Sequence, residues 1–272
     1  MQKTTFNLPK IEKFDFSITY YNKKPQYFLE GREQHIHNEC EIYIHLSGDV
    51  SFMVEETIYP ISRGTVIITR PNEYHHCIYN SDKTHEHFWI LFSSVGNEEL
   101  LNLFFARKSG NNNLLFLNAA ELSKCIELCH QMCKSDDNNG IGNYLNFFKL
   151  LNLLQSADIP VFKNEFSKDL SLALSFVGEN FMQPITVKDI AEAAHISVNT
   201  LERKFIKSLK TTPNYYLREK RLANAVKLLS KGESVTDSCL KSGFSDCSGF
   251  INLFKKRYGL TPLKYKQQLI NK

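Results

Sequence analysis

An internal repeat near the end of the chain restricts the fold more than any other feature. Leu201, Phe205 and Pro213 return as Phe250, Phe254 and Pro262, each 49 residues later, and Thr212-Pro213 is echoed by Thr261-Pro262. Each copy reads as helix, tight turn, helix. In the first, Val187, Ile190, Ala191 and Ala194 share one helical face, and His195-Ile196 breaks the period. Ser197 then caps a second helix that turns Leu201 and Phe205 inward. In the second, Val235 to Ser242 is the first helix and Gly243-Phe244 the turn, glycine supplying the positive φ such a turn wants. Ser245 or Asp246 caps the helix that carries Phe250 and Phe254. This is helix-turn-helix spacing, found twice in tandem. Between the copies, Pro213 to Leu229 reads as one helix of about 17 residues, roughly 25 Å long. A rigid connector of that length suits two reading helices about one DNA turn, roughly 34 Å, apart.

Charge supports a polyanionic partner for this segment. Residues 1–166 hold 15 Lys and Arg against 20 Asp and Glu, a net of −5, whereas residues 167–272 hold 18 against 9, a net of +9. A basic segment attached to an acidic one fits nucleic acid binding by the basic part.

Residues 167–272 resemble the AraC/XylS family of bacterial transcription regulators. The motifs are Ile190-Ala191 through Ser197 to Leu201 and Phe205, the Pro213–Leu229 connector, and Gly243-Phe244-x-Asp246 through Phe254-Lys255 to Gly259-x-Thr261-Pro262. Two departures stand out. Lys210 occupies a place where the family usually has glycine, and Ser238-Cys239 replaces the usual Ile-Ala pair. The first predicts a strained turn after the first reading helix, the second a less firmly packed helix in the second unit.

On the first reading helix, Val198, Asn199, Glu202, Arg203 and Lys207 avoid the Leu201/Phe205 face. Asn pairs with adenine and Arg with guanine, and the resemblance places base contacts near Asn199 and Arg203. On the second, the outward set is Cys247, Ser248, Ile251, Asn252 and Lys255; Asn252 is its best base reader and Ile251 suits a thymine methyl. Lys204, Lys207, Lys255, Lys256 and Arg257 are expected to neutralise phosphates.

Up to about residue 95 the pattern is strand-like: Glu41–Leu46, Ser51–Val54, Gly64–Thr69 and His87–Phe92, with Gly, Pro and Asn at the breaks. From about 97 to 156 the period becomes helical. Leu122, Ile126, Cys129 and Cys133 form one stripe, and Tyr144, Phe147, Leu151 and Leu154 form another. His35-x-His37-x-x-x-Glu41, followed by Gly48, Gly64, Pro71 and His75-His76, resembles a cupin barrel, the usual sensor in one large branch of the family. Pro71-Asn-Glu-Tyr-His75 ahead of a strand with His87 and Trp89 resembles sugar-binding sensors.

Three readings of these residues stay open. His35, His37, Glu41, His75, His87 and Trp89 suit a small organic ligand, a polyol whose apolar face the indole covers. His35, His37, Glu41 and His76 suit a divalent metal, which would make a cupin enzyme. Otherwise the groups simply build a barrel, and the first half only dimerises. Glu73 counts against the metal, since metal-dependent cupins usually carry glycine there.

The expected architecture is α+β with two domains. Residues 1–162 form a cupin-like sensor and dimerisation domain, and 163–272 an all-α domain with two helix-turn-helix units. Seven cysteines without a Cys-x-x-Cys argue against a disulfide framework or zinc ribbon; Cys125, Cys129 and Cys133 form one helical stripe of small hydrophobes. No apolar run approaches the roughly 20 residues of a membrane span, and no secretory signal is evident. The expected protein is a cytoplasmic homodimer that binds double-stranded DNA, responds to a small-molecule effector, contacts RNA polymerase, and carries no cofactor or catalytic activity.

Overall fold

The computed structural model describes residues 14–24, 37, 39–94, 96–134, 140–160 and 166–270. Contacts divide the chain into two compact units. The first comprises Met1–Gln26, Asn38–Glu73 and Tyr79–Lys163; the second comprises Tyr27–His37, Tyr74–Ile78 and Asn164–Lys272.

The strands are β1 (Phe16–Lys23), β2 (Cys40–Ser47), β3 (Val50–Val54), β4 (Thr57–Pro60), β5 (Thr65–Thr69), β6 (His75–Tyr79), β7 (His85–Phe92) and β8 (Leu114–Phe116). They form a five-stranded sheet in the order β1-β7-β2-β5-β8 and a three-stranded sheet in the order β4-β3-β6. The helices of the first unit are α1 (Asn102–Phe105), α2 (Ala119–Lys134) and α3 (Ile141–Gln155).

The two faces of the larger sheet differ in chemistry. Strand side chains alternate between faces, and cross-strand partners share one. Ile42 pairs with Ile90 and Ile68, and Ile44 with Phe88 and Val66. This apolar face is covered by Leu122, Cys125 and Cys129 of α2 and Phe147, Leu150 and Leu154 of α3. Sealing each large apolar side chain here contributes about 1.5–3 kcal/mol. The other face carries Glu41, Tyr43 and His45 of β2, paired with Thr69 and Ile67 of β5 and with Trp89 and His87 of β7. All of β2 but its last residue is buried, so the polar residues of its alternation are sealed as well.

Two expectations change here. The stretch from about 97 to 156 is not helical throughout: Leu114–Phe116 pairs antiparallel with Thr65–Ile67, because three consecutive apolar residues after Asn111–Asn113 complete the sheet edge. On α2 the buried stripe is Leu122, Cys125, Leu128, Cys129 and Met132, and Cys133 is exposed.

The second unit contains seven helices among the described residues: α4 (Lys168–Asn180), α5 (Val187–Ala193), α6 (Val198–Leu209), α7 (Pro213–Ser230), α8 (Val235–Lys241), α9 (Cys247–Tyr258) and α10 (Pro262–Ile270). Their starts are written in the sequence. Thr186 and Asp189 make a reciprocal capping box on α5, Ser197 accepts from Thr200 N on α6, and Thr212 precedes Pro213 on α7. Ser234 caps α8, and Asp246 rather than Ser245 caps α9, accepting from Ser248 N and Gly249 N, both at 2.9 Å. Each cap satisfies one or two of the four orphan backbone donors at its helix start and contributes about 1 kcal/mol.

The repeat appears as two equivalent cores. Leu201 and Phe205, and Phe250 and Phe254, are all fully buried. Phe205 packs on Tyr216 of α7, and Phe250 and Phe254 cluster with Leu222, Val226 and Leu229 of the same helix. The connector is thus the shared wall of both. Arg221 extends this role by donating to the carbonyls of Phe181, Gln183 and Ile185 in the α4–α5 loop. Asn224 donates to Lys241 O and Ser242 Oγ at the turn of the second unit.

Both departures noted in the sequence have visible consequences. Lys210 closes α6 at φ +51°, in the left-handed region. Ser238 is sealed in α8, and its Oγ makes no hydrogen bond among the described residues.

Candidate nucleic-acid interface and ligand face

The outer face of α6 follows from its inner one. With Leu201, Phe205 and Leu209 buried at helical spacing, Asn199, Glu202, Arg203, Ile206 and Lys207 are left exposed. These five line a shallow depression of about 480 Å³. Val198, at the helix start, is half-buried. Sequence reasoning did not include Ile206, yet it is 53% exposed amid polar residues. Its period was legible; the missed signal was a large aliphatic on the polar side of an amphipathic helix.

Not every cation expected on phosphates is free for them. Lys204 pairs with Asp169 of α4 at 2.9 Å and donates to Ser167 Oγ at 3.1 Å. Arg257 pairs with buried Glu219 of α7 at 2.8 Å. Both charges tie helices of the unit together. Lys207, Lys255 and Lys256 remain exposed.

On α9, Ser248, Asn252, Lys255 and Lys256 face solvent, while Ile251 is half-buried against the core formed by Phe250 and Phe254. Cys247 is half-buried too, and its Sγ lies 2.8 Å from Cys239 Sγ. The depression on α6 has a different composition from α9: a carboxylate and a guanidinium on the first, a serine and an asparagine on the second.

The polar sheet face holds the second candidate site. It brings Glu41, His87 and Trp89 of the expected set together with Tyr43 and His45, which share the parity of Glu41 on one strand, and adds Thr69 and His85, which sequence reasoning left out. Parity with His87 and Trp89 along one strand would have found His85, whereas Thr69 needed the register between strands. Tyr43 lies 4.5 Å from the His87 ring, Tyr21 stacks on His85 and His87 at 4.8 and 5.1 Å, and Tyr79 lies 4.5 Å from His85. His85 and His87 stack on each other at 5.2 Å.

Their electrostatics are those of neutral rings. Burial, with His45 nearby, pushes the His85 imidazole down to about 4. Burial and His85 push His87 down to about 3, with Glu41 pulling the other way. Burial lowers His45 as well. A neutral imidazole offers one donor and one acceptor. Both ring nitrogens of His85, Nδ1 of His87 and Oγ1 of Thr69 are buried and make no hydrogen bond among the described residues.

The remaining expected residues fall elsewhere. His35 lies outside the described residues. His37 and His75 belong to the second unit, where their rings meet edge to face at 4.9 Å. His76, in the same unit, is buried 5.5 Å from the Tyr74 ring. Glu73 is fully occupied. Arg107, Ser109, Asn113 and the backbone N–H groups of Arg70 and Gly110 all donate to its carboxylate.

Residues 190–268 match the family described as helix-turn-helix domain, and residues 24–143 match the AraC-like ligand binding domain. The HTH-type transcriptional activator RhaS of Shigella dysenteriae serotype 1 is 25% identical, with 96% of each chain covered. Its counterpart from Escherichia coli O139:H28 is 26% identical, with 86% of this chain and 87% of the other covered. Among solved structures, ToxT of Vibrio cholerae O395 aligns at 15% identity over 94% of this chain and 98% of the other, with a TM-score of 0.38.

Proposed function

Since the chain belongs to the AraC/XylS family of DNA-binding transcription regulators, with a ligand-binding domain ahead of its helix-turn-helix units, we propose that α6 and α9 read two successive stretches of one DNA site, under control of a small neutral effector held on the polar sheet face. Arg203 and Asn199 read bases through α6, with Glu202 and Val198 shaping that contact. Asn252 and Ser248 read bases through α9, with Ile251 and Cys247 at its edge. Lys207, Lys255 and Lys256 meet phosphates, and Lys204 orients α6 through Asp169.

The observation that carries the effector reading is the group of unpartnered polar atoms on His85, His87 and Thr69, sealed beside Trp89 and several tyrosines. Leaving such groups unpaired costs about 1–3 kcal/mol each, which a hydroxyl-bearing ligand would recover. Neutral imidazoles give no charge to hold an anion, and aromatic walls cover apolar ring faces, so the favoured class is a carbohydrate or similar polyol. The chain acts as a regulator and carries out no catalysis; Glu73, in the place of the cupin glycine and fully bonded, counts against the metal-dependent reading through His35, His37, Glu41 and His76.

The exposed apolar residues of α3, Ile141 at 74% and Leu145 at 53%, support a homodimer formed through this helix. Relatives named as activators favour activation, with RNA polymerase as a further partner. The localisation that fits is cytoplasmic; no described helix is long and apolar enough to cross a membrane.

Site selection by the full-length protein from a random duplex library tests the first half of the proposal. The expected result is two base-specific patches about one helical turn apart, with affinity falling steeply as salt rises. A single patch would exclude tandem reading. The effector half is tested by titrating sugars and polyols while following Trp89, the one tryptophan of the chain. A saturable change in its emission, with a matching calorimetric isotherm, is expected for one of them. Silence with every neutral polyol, against binding of an anionic metabolite, would overturn the ligand class.

A further inference from the structure

We propose that Cys239 and Cys247 are a peroxide-responsive thiol pair, and that their closure to a disulfide switches off DNA reading by α9. The inference rests on α9 being a reading helix.

The two sulfurs are already directed at each other. Cys239 lies in α8, fully buried within the core formed by Phe250 and Phe254. Cys247 is the first residue of α9 and only half-buried. The Cys247 thiol donates to Cys239 Sγ at 2.8 Å, and Cys239 in turn approaches the carbonyl of Phe244. A disulfide bond is about 2.05 Å long, so closure needs the sulfurs to approach by roughly 0.8 Å. Both residues flank the turn of the second helix-turn-helix unit, so the bond would staple that turn shut. Elsewhere, Cys40, Cys125 and Cys129 are sealed in the first unit, where an oxidant does not reach them.

The exposures assign the roles. Cys247, reached by solvent, is the attacking sulfur; Cys239, whose thiol burial pushes up to about 12, resolves. The Cys247 thiol gives up its proton and the thiolate attacks one oxygen of hydrogen peroxide; the S–O bond forms, the O–O bond breaks, and the departing hydroxide takes up that proton, leaving a sulfenic acid and one water. Cys239 then attacks the sulfenic sulfur. The S–S bond forms, the S–O bond breaks, and the departing hydroxide takes the Cys239 proton as a second water. Two thiols lose two electrons and two protons, and one peroxide becomes two waters. A small thiol reverses the bond by exchange, as suits a regulatory disulfide in a reducing compartment.

The readout follows from where the bond sits. Helix-turn-helix proteins place the N-terminal residues of the recognition helix on base edges. Drawing Cys247 toward α8 pulls the start of α9, and Ser248 beside it, back from the duplex.

The test uses the full-length protein on its selected DNA site, reduced and after peroxide. Trypsin separates the two cysteines into peptides Gly232–Lys241 and Ser242–Lys255. The expected result is a linked pair of these peptides and a roughly tenfold or greater loss of affinity, the size of one lost base-pair contact, both reversed by dithiothreitol. Cys133→Ser should behave as wild type. Cys239→Ala, which restores the residue the family resemblance puts there, should bind DNA alike with and without peroxide. Reduced protein that binds its site but never yields the linked peptides would overturn the thiol pair. Linked peptides with unchanged affinity would overturn the switch, and reduced protein with no site preference at the second patch would remove its premise.

Discussion

Glu73 and Arg107 meet as a two-pronged ion pair, Nη1 donating to Oε1 at 2.8 Å and Nη2 to Oε2 at 2.6 Å, with the side chains 1% and 5% exposed. The pair joins the turn after β5 to the loop before β8. Burial favours the protonated carboxyl, but the Arg107 bonds and charge, with the N–H groups of Arg70 and Gly110, outweigh it and hold the Glu73 pKa below its ordinary value. A depressed carboxylate stabilises the fold fully above its unfolded pKa, about 4.3, and that stability is lost as pH falls through the folded value. Glu73→Gln leaves a buried guanidinium uncompensated and should cost about 3–5 kcal/mol in urea denaturation at neutral pH. A loss below about 1 kcal/mol would show that the pair is replaceable by neutral hydrogen bonds.

The buried imidazoles predict a second pH dependence, at higher pH. His85 and His87 titrate at about 4 and about 3 when folded, against about 6.5 when unfolded. The unfolded chain therefore binds more protons between these values, and stability should fall as pH drops from about 6.5 toward 4. The slope should be on the order of 1 kcal/mol per pH unit for each imidazole. His87→Phe should flatten the curve in that window, measured by thermal or urea unfolding from pH 7 to 5. An unchanged slope would mean that His87 already gains a proton in the folded state.

For DNA, base reading and phosphate contact separate cleanly. Arg203→Ala should cost about 1–3 kcal/mol on the preferred site and relax one base position. Lys207→Ala should weaken all sequences alike and reduce the salt slope by about one unit. Competition binding of each variant on the selected site and single-base variants of it decides between these patterns. If Arg203→Ala behaves like Lys207→Ala, the guanidinium meets a phosphate.

The two turn positions of the repeat predict opposite responses. Lys210 ends α6 at φ +51°, and its equivalent Gly259 ends α9 at φ +75°. A side chain in this region costs about 1–2 kcal/mol, so Lys210→Gly should raise stability by about 1 kcal/mol. Gly243 turns at φ +84°, and an added Cβ there would lie 2.6 Å from the Phe181 carbonyl oxygen and 2.9 Å from Arg221 Nε. Gly243→Ala should therefore destabilise the second unit by more than the backbone term alone, read as a drop in melting temperature and a loosening of the Arg221 clamp.

The Ser197 cap, the alternation of β2 and the 49-residue repeat were enough to give the helix-turn-helix pair and its buried aromatics, while the caps at Thr186, Thr212 and Ser234 went unread. Those features depend on neighbours a few positions away, where the 3.6-residue and two-residue periods fix which side chains share a face. The outward residues of α6 were legible for the same reason. What tertiary structure alone decided is who meets whom across long separations. Lys204 is drawn to Asp169, Arg257 to Glu219 and Arg107 to Glu73, because a long cation goes to whichever carboxylate packing leaves beside it. Thr69 joined Glu41, His87 and Trp89 only once strand register was set, and a one-residue slip would have turned it to the apolar face. Cys239 and Cys247 came within reach through the crossing of α8 and α9, a distance no spacing along the chain could supply.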